Sequence, residues 1–431
     1  MCQQHGDTSQ QQPRAADAYG SSRSDETIPK DPFPWDVGVF DAHCHPTDTM
    51  ALVSSIPDMK ARALTVMSTR SQDQNLVHDL ALEQGVEAPG AIFSTEDMSS
   101  HHRRVIPSFG WHPWFSYQIY DDKASEPTYD GTAEGKAAHY DKILSPAPSS
   151  QSKAFSSGLQ DPVALSKFIS ETRARLQEHP HALVGEIGLD KAFRIPESWT
   201  VVGDGGRDET LTPGGREGRR LSPHRVNIAH QTSILKAQLQ LAGELNRAVS
   251  VHGVQVHGGV YNAISDCWKG YEKEVLSRRE QRKIAPHAHD LEDDSSSDSN
   301  AQPDVKPSGI RKGNTAGKPF PPRICLHSYS GPVNIMNQYL HKTVPSKVFF
   351  SFSTAINFDP EGGEKNQKTE EAIRACPDNR VLVESDLHVA GDSMDGALES
   401  ICRKVCELKG WPLREGVEQL ARNYREFVFD D

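Results

Sequence analysis

Val37-Gly38-Val39-Phe40-Asp41-Ala42-His43-Cys44-His45 is an apolar run that ends in two histidines and a carboxylate. Strand side chains alternate faces, so Asp41, His43 and His45 would share one face while Ala42 and Cys44 point the other way. Neutral imidazole nitrogen and ionised carboxylate are standard ligands of divalent metals, so a strand ending in this way suits a metal centre. Taken alone, a His-x-His can equally be part of a polar turn.

Seven more short, β-branched runs follow it: 63–67, 105–109, 182–187, 248–251, 323–326, 348–352 and 380–383. Helical patterns separate several of them. The clearest spans His230 to Asn246, where Ile234, Leu235, Leu239, Leu241, Ala242 and Leu245 form a broad apolar face. Eight continuously hydrophobic strands with intervening helices predict an α/β fold, a closed TIM (β/α)8 barrel of parallel strands.

The chain has 431 residues, yet its hydrophobic content is 36% and its mean hydropathy −0.61. That combination reads as one large domain over 35–431, carrying polar insertions, behind a disordered tail at 1–34. Insertions that bury too little apolar surface to offset chain entropy are expected near 118–160, 195–223 and 277–321. The last contains the acidic run Leu291-Glu292-Asp293-Asp294-Ser295-Ser296-Ser297-Asp298. Removing these stretches leaves a body close to the ~250 residues of a typical barrel.

The 47 basic and 59 acidic residues give a net charge of −12. A protein that held nucleic acid by phosphate neutralisation alone would be basic, so a polyanionic substrate must be gripped locally, by metal ions or a small basic patch. Seven cysteines without a Cys-x-x-Cys pair argue against a disulfide framework and fit a reducing compartment. The N-terminus lacks a signal-peptide core and no run reaches membrane-spanning length. These features predict an intracellular protein, cytoplasmic or nuclear, with no membrane partner.

Barrel enzymes carry their chemistry at the C-terminal ends of the strands. Strand one ends in Asp41, His43 and His45, and strand three in Gly110-Trp111-His112-Pro113-Trp114. Strand four ends in Gly185-Glu186-Ile187-Gly188-Leu189-Asp190 and strand five in Val251-His252-Gly253. Strand six ends in Leu326-His327-Ser328-Tyr329-Ser330-Gly331, and strand eight in Glu384-Ser385-Asp386. Four histidines and two carboxylates are too many for one tetrahedral ion and suit two. His43, His45 and Asp386 would hold one ion and His252 with His327 the other, with Glu186 as the bridge. Such a pair clamps a phosphate oxygen, lowers the pKa of a bound water and stabilises the leaving oxygen. Glu186 and Asp386 are the candidate catalytic residues, Asp386 also as acceptor of the attacking water's proton. His112 has no evident ligand role and is assigned to substrate phosphate; a turn-stabilising role before Pro113 is the alternative. The ions themselves could be Zn, Mn or Mg.

This ordered set of motifs resembles the TatD family, as does the helix Gln238-Leu239-Gln240-Leu241-Ala242 before strand five. The likeness covers about residues 36 to 425, and Gly-Glu-Ile-Gly-Leu-Asp is its most specific part. It implies a metal-dependent hydrolase with deoxyribonuclease activity, often 3′ to 5′ exonuclease. It also implies that His43, His45, Glu186, His252, His327 and Asp386 are the metal ligands and His112 an additional active-site histidine. Two departures stand out. Family members usually carry Cys or Ser and then Arg after the strand-five histidine, where this chain has Gly253-Val254-Gln255, so a basic substrate contact is missing. The usual Asp-Ala-Pro-Tyr after strand eight is replaced by Asp386-Leu387-His388-Val389. These departures and the long inserts are similar to a fungal branch of the family, which implies a helical-repeat cell-cycle protein as a partner.

Three functions compete on this footing. The first is a two-metal phosphodiesterase acting on DNA. The second, amide or lactone hydrolysis, is disfavoured because related barrels bridge their metals with a carboxylated lysine where Glu186 stands. The third is an interaction protein on the same barrel with weak or no nuclease activity. The long acidic insert gives a direct test of the domain reading. Deleting residues 280–318 should leave the melting temperature nearly unchanged, whereas a cooperative loss of stability would show that the segment packs on the barrel.

Overall fold

The computed structural model describes residues 32–94, 103–148, 153–199, 207–275 and 317–431. Its frame is eight parallel strands: β1 (Phe40–Cys44), β2 (Ala63–Met67), β3 (Val105–Ser108), β4 (Val184–Asp190), β5 (Val249–Val254), β6 (Arg323–Leu326), β7 (Lys347–Phe352) and β8 (Val381–Val383). β1–β2–β3 and β4–β5–β6–β7–β8 form parallel ladders in chain order. Two seams close the ring. Phe109 N–H donates to the Leu183 carbonyl and Leu183 N–H to that of Pro107, each at 3.0 Å, and Asp386 N–H donates to the His43 carbonyl at 3.0 Å.

Among the described residues there are nine helices of seven residues or more: α1 (Gln74–Gln84), α2 (Ala133–Ile143), α3 (Leu165–Glu178), α4 (Ile228–Glu244), α5 (His257–Trp268), α6 (Val333–Tyr339), α7 (Glu364–Ala375), α8 (Asp392–Lys409) and α9 (Leu413–Phe429). Because helices cover the outside and side chains fill the inside, every residue of β1, β2 and β4 is buried. One apolar cluster draws a side chain from each strand or the residue before it. These are Phe40, Ala63, Ile106, Leu183, Ala248, Cys325, Phe349 and Leu382, and α9 adds Tyr424 and Phe427. Helix α9 thereby plugs the N-terminal end and leaves the opposite mouth for chemistry.

Three expectations from sequence need correction. The first strand begins at Phe40, because Trp35–Val37 is a 3-10 turn and Gly38, at φ 104°, redirects the chain. The Asp-Ala-His-Cys stretch thus makes up most of the strand itself. The segment 118–160 is largely ordered: Ile119, Tyr140, Ile143, Leu144, Phe155 and Leu159 pack with Trp111, Phe115, Tyr117 and Phe168 into a second apolar cluster. Within 195–223, the described residues are held by backbone groups that composition does not advertise. Thr212 N–H donates to the Asp48 carbonyl at 2.6 Å, and Arg70 donates to the carbonyls of Pro213 (3.0 Å) and Thr212 (3.1 Å). Most of 277–321, and all but the last residues of the 1–34 tail, lie outside the described residues.

Helix α2 carries a buried titratable group that is not among the candidate ligands. His139 donates Nε2–H to the Tyr117 carbonyl at 2.9 Å, and its Nδ1 is 2.7 Å from the Thr128 hydroxyl. Burial pushes its pKa down to about 4. The unfolded chain, titrating near 6.5, therefore binds an extra proton between pH 6.5 and 4, and stability is lost as pH falls through that window. From pH 7 to 5 this loss is on the order of 2 kcal/mol. Urea unfolding at the two pH values should show a smaller acid loss in His139→Gln; an equal loss would dismiss the assignment.

Candidate metal centre at the barrel mouth

Strand ends of β1, β3, β4, β5, β6 and β8 converge on one carboxylate. Glu186, in the middle of β4, is 3% exposed. Its Oε2 lies 3.5 Å from His43 Nε2 and 3.4 Å from His45 Nε2. Its Oε1 lies 3.1 Å from His112 Nε2, 2.9 Å from His252 Nδ1 and 2.7 Å from His327 Nε2. One oxygen thus faces the β1 histidines and the other faces those of β3, β5 and β6. Asp386 completes the first side, with Oδ1 3.5 Å from His45 Nε2 and 4.0 Å from His43 Nε2. Its φ of 52° is a left-handed conformation that costs a non-glycine residue free energy and persists here because the β8–β1 bond holds it.

All seven residues singled out from sequence meet in this pocket. Four groups of three possible ligands have their donor atoms within 4.8 Å of one another: His43/His45/Asp386, His43/Glu186/His327, His112/Glu186/His252 and His327/Glu384/Asp386. The first matches the expected trio. The second differs from the expected division, because His327 stacks on His43 at 3.8 Å and stands between both sides. Asp41, which the alternation puts on the same face, joins no group. Its carboxylate accepts from the His43 and Ser385 backbone N–H groups, each at 3.0 Å, and ties β1 to β8, while burial pushes its pKa up to about 7.

The remaining ring nitrogens decide what each histidine offers. His252 Nε2 is 3.1 Å from Asp190 Oδ2, so that nitrogen carries the proton and Nδ1 faces the pocket as a lone pair. His43 Nδ1 is 2.8 Å from Ser250 Oγ and His327 Nδ1 is 3.6 Å from Glu384 Oε1, leaving Nε2 of each for the pocket. His112 is the reverse case. Its Nδ1 accepts the Trp114 backbone N–H at 3.1 Å, and burial lowers its pKa to about 4. A neutral ring with Nδ1 so engaged has its proton on Nε2, which makes His112 a hydrogen-bond donor toward Glu186 Oε1 rather than a ligand. The turn-capping and active-site roles weighed for His112 are thus two ends of one ring.

The electrostatics favour cations. Burial alone would raise Glu186 and Asp386, but the surrounding histidines outweigh it and hold both well below the usual carboxylate range. Burial lowers His43. For His45 and His252 burial is overcome by Asp386 and Asp190 respectively, with Glu186, raising them to about 9 and about 8. Ionised carboxylates facing imidazole nitrogens, those of His43 and His252 oriented from behind, form a donor set suited to Zn or Mn.

The orienting residues were missed in the sequence, although their signal was there. Ser250 stands two before His252, Glu384 two before Asp386, and Asp190 four after Glu186, all on the ligand face of their strands. Asp190 is the most connected. Oδ2 accepts from Trp114 Nε1 (2.7 Å) as well as His252, and Oδ1 accepts the backbone N–H groups of Ala192 (2.6 Å) and Phe193 (2.8 Å). Burial would raise Asp190, but its bond to His252 outweighs this and lowers it to about 2.

The sequence profile of the family described as TatD related DNase matches residues 40–428. The chain is 33% identical over 390 residues to Cut9-interacting protein scn1 of Schizosaccharomyces pombe, across 90% of this chain and 98% of that protein. It is 25% identical over 354 residues to an uncharacterized deoxyribonuclease of Saccharomyces cerevisiae, across 81% and 83%. A solved structure of an uncharacterized amidohydrolase from Saccharomyces cerevisiae aligns over 91% of this chain and 99% of its own, at a TM-score of 0.49 and 11% identity. No helix among the described residues is long and apolar enough to cross a membrane.

Replacing Asp190 by Asn keeps the shape but removes the charge behind His252. Calorimetric titration with Mn or Zn should show roughly 10–100-fold weaker binding. An unchanged affinity would mean that this contact does not tune the centre.

Proposed function

The chain belongs to the TatD-related DNase family of metal-dependent hydrolases, and from that membership we propose that it cleaves phosphodiester bonds with a pair of divalent ions, shortening DNA from its 3′ end. The observation that carries this reading is Glu186, whose two oxygens face separate histidine groups as a bridging carboxylate must. His43, His45 and Asp386 would hold one ion, and His252 and His327 the other. The pair would supply Lewis-acid polarisation of a phosphoryl oxygen and a nucleophile at neutral pH.

The chain's own residues do the rest. Asp386, partly exposed at the pocket edge and ionised, is the acceptor for the proton of the attacking water. His112, neutral with its proton on Nε2, donates a hydrogen bond to a non-bridging phosphate oxygen and so orients the scissile group. Burial of Glu186 and its histidines excludes bulk water, so each of these interactions acts in a low local dielectric.

A second reading rests on a different observation, the name of the Schizosaccharomyces pombe relative. Carried to this chain, it supports a protein partner, and the exposed surface away from the mouth leaves room for one without displacing the centre.

The deciding assay is digestion of a 5′-labelled single-stranded oligonucleotide after chelation and re-addition of Mg, Mn or Zn. Stepwise shortening that requires metal and falls by at least about a hundredfold in Glu186→Ala and Asp386→Asn is expected. Full activity in both variants would remove the assignment. Absence of cleavage, in protein that binds two ions, would transfer the case to the adaptor reading.

A further inference from the structure

The missing arginine after His252 leaves open what holds the nucleic acid strand on a chain of net charge −12. Beside the centre, Trp114 and Phe193 stack with ring centroids 4.5 Å apart and planes 10° from parallel. Both rings are only partly buried, and among the described residues Trp114 is the ring partner of Phe193. Trp114 meets His112 edge-on at 4.8 Å and lies 6.1 Å from His252. The stack is rigidly indexed to the centre. Asp190 binds the Trp114 indole, the backbone of Ala192 and Phe193, and His252 through one carboxylate.

Cations flank the stack. Lys191 and Arg194 occupy the same short loop as Phe193, and neither forms an ion pair among the described residues. Arg225 is exposed and its Nε reaches the Ala192 carbonyl at 3.4 Å. Partly exposed aromatic rings between unpaired basic residues, next to phosphate chemistry, are the elements from which sequence-tolerant single-strand sites are made.

We infer that the Trp114–Phe193 stack, with Lys191 and Arg194, is a binding platform for single-stranded nucleic acid, on which a base stacks while the flanking cations take neighbouring phosphates. The inference rests on the phosphodiesterase reading for the identity of the strand. It makes the recognition blind to base identity and dependent on unpaired bases, and it supplies after β4 the basic contact that the chain lacks after β5.

The test is binding rather than turnover, so that it stands apart from the hydrolysis assay. Fluorescence anisotropy of 5′-labelled dT10 and of an abasic decamer of equal charge is measured with the full chain in chelator. The wild-type protein should bind dT10 about tenfold or more tighter than the abasic strand. Phe193→Ala should erase that ratio, and Phe193→Tyr should restore it with an unchanged melting temperature. A Lys191→Gln, Arg194→Gln double variant should weaken both strands alike and reduce the slope of log affinity against log salt by about 1–2. The inference is overturned if dT10 does not bind, if both strands bind equally, or if Phe193→Ala keeps the ratio. An intact ratio without hydrolysis under any metal would instead remove the phosphodiesterase reading and leave the platform standing.

Discussion

A buried charge organises this molecule. Glu186 is almost wholly removed from water, and an isolated carboxylate in such a place would be severely destabilised. It survives because five imidazole nitrogens reach its two oxygens from β1, β3, β5 and β6. No single element could deliver those groups. A closed parallel barrel can, since its strand ends form a ring around one point.

The approach of those strands imposes its own demands on sequence. A Cβ at Gly188, where φ is 152°, would lie 2.1 Å from the His252 carbonyl oxygen. One at Gly110 would lie 2.7 Å from the Gly185 carbonyl carbon. The glycines that surround Glu186 are therefore what allows β3, β4 and β5 to bring their histidines within bonding distance of its carboxylate. The Gly-Glu-Ile-Gly-Leu-Asp stretch combines the charge, the space and, in Asp190, the outer support.

Outside the ring of ligands, hydrogen bonds assign a role to three of the histidines. His43 and His252 have their outward nitrogens held by Ser250 and Asp190, so their inward nitrogens are directed into the pocket. His112 has its outward nitrogen occupied as an acceptor, so its inward one must donate. Chemically identical side chains become ligands or donors according to the atom behind them. Asp190 extends this control past the centre, coupling His252 to the aromatic stack at the rim.

What the sequence by itself determined was local and periodic. Eight apolar runs, their polar ends and the alternation of His43 with His45 were enough for a parallel barrel with a polar mouth, because strand period and strand burial are written in nearest neighbours. The same alternation contained Ser250, Asp190 and Glu384, unread only because their partners lie on other strands. The order of 118–160 escaped notice because its few large anchors, Ile119, Tyr140 and Phe155, are spaced too irregularly to show a period. The order of the described part of 195–223 comes from backbone bonds to Arg70 and Asp48. Only the tertiary structure decided that Asp41 ties strands together, that His327 stands between two ligand groups, and that His112 presents a proton. The first two depend on which atom of a distant residue arrives within 3 to 4 Å, a distance set by barrel closure, and the third on the turn geometry that brings the Trp114 N–H onto the His112 ring.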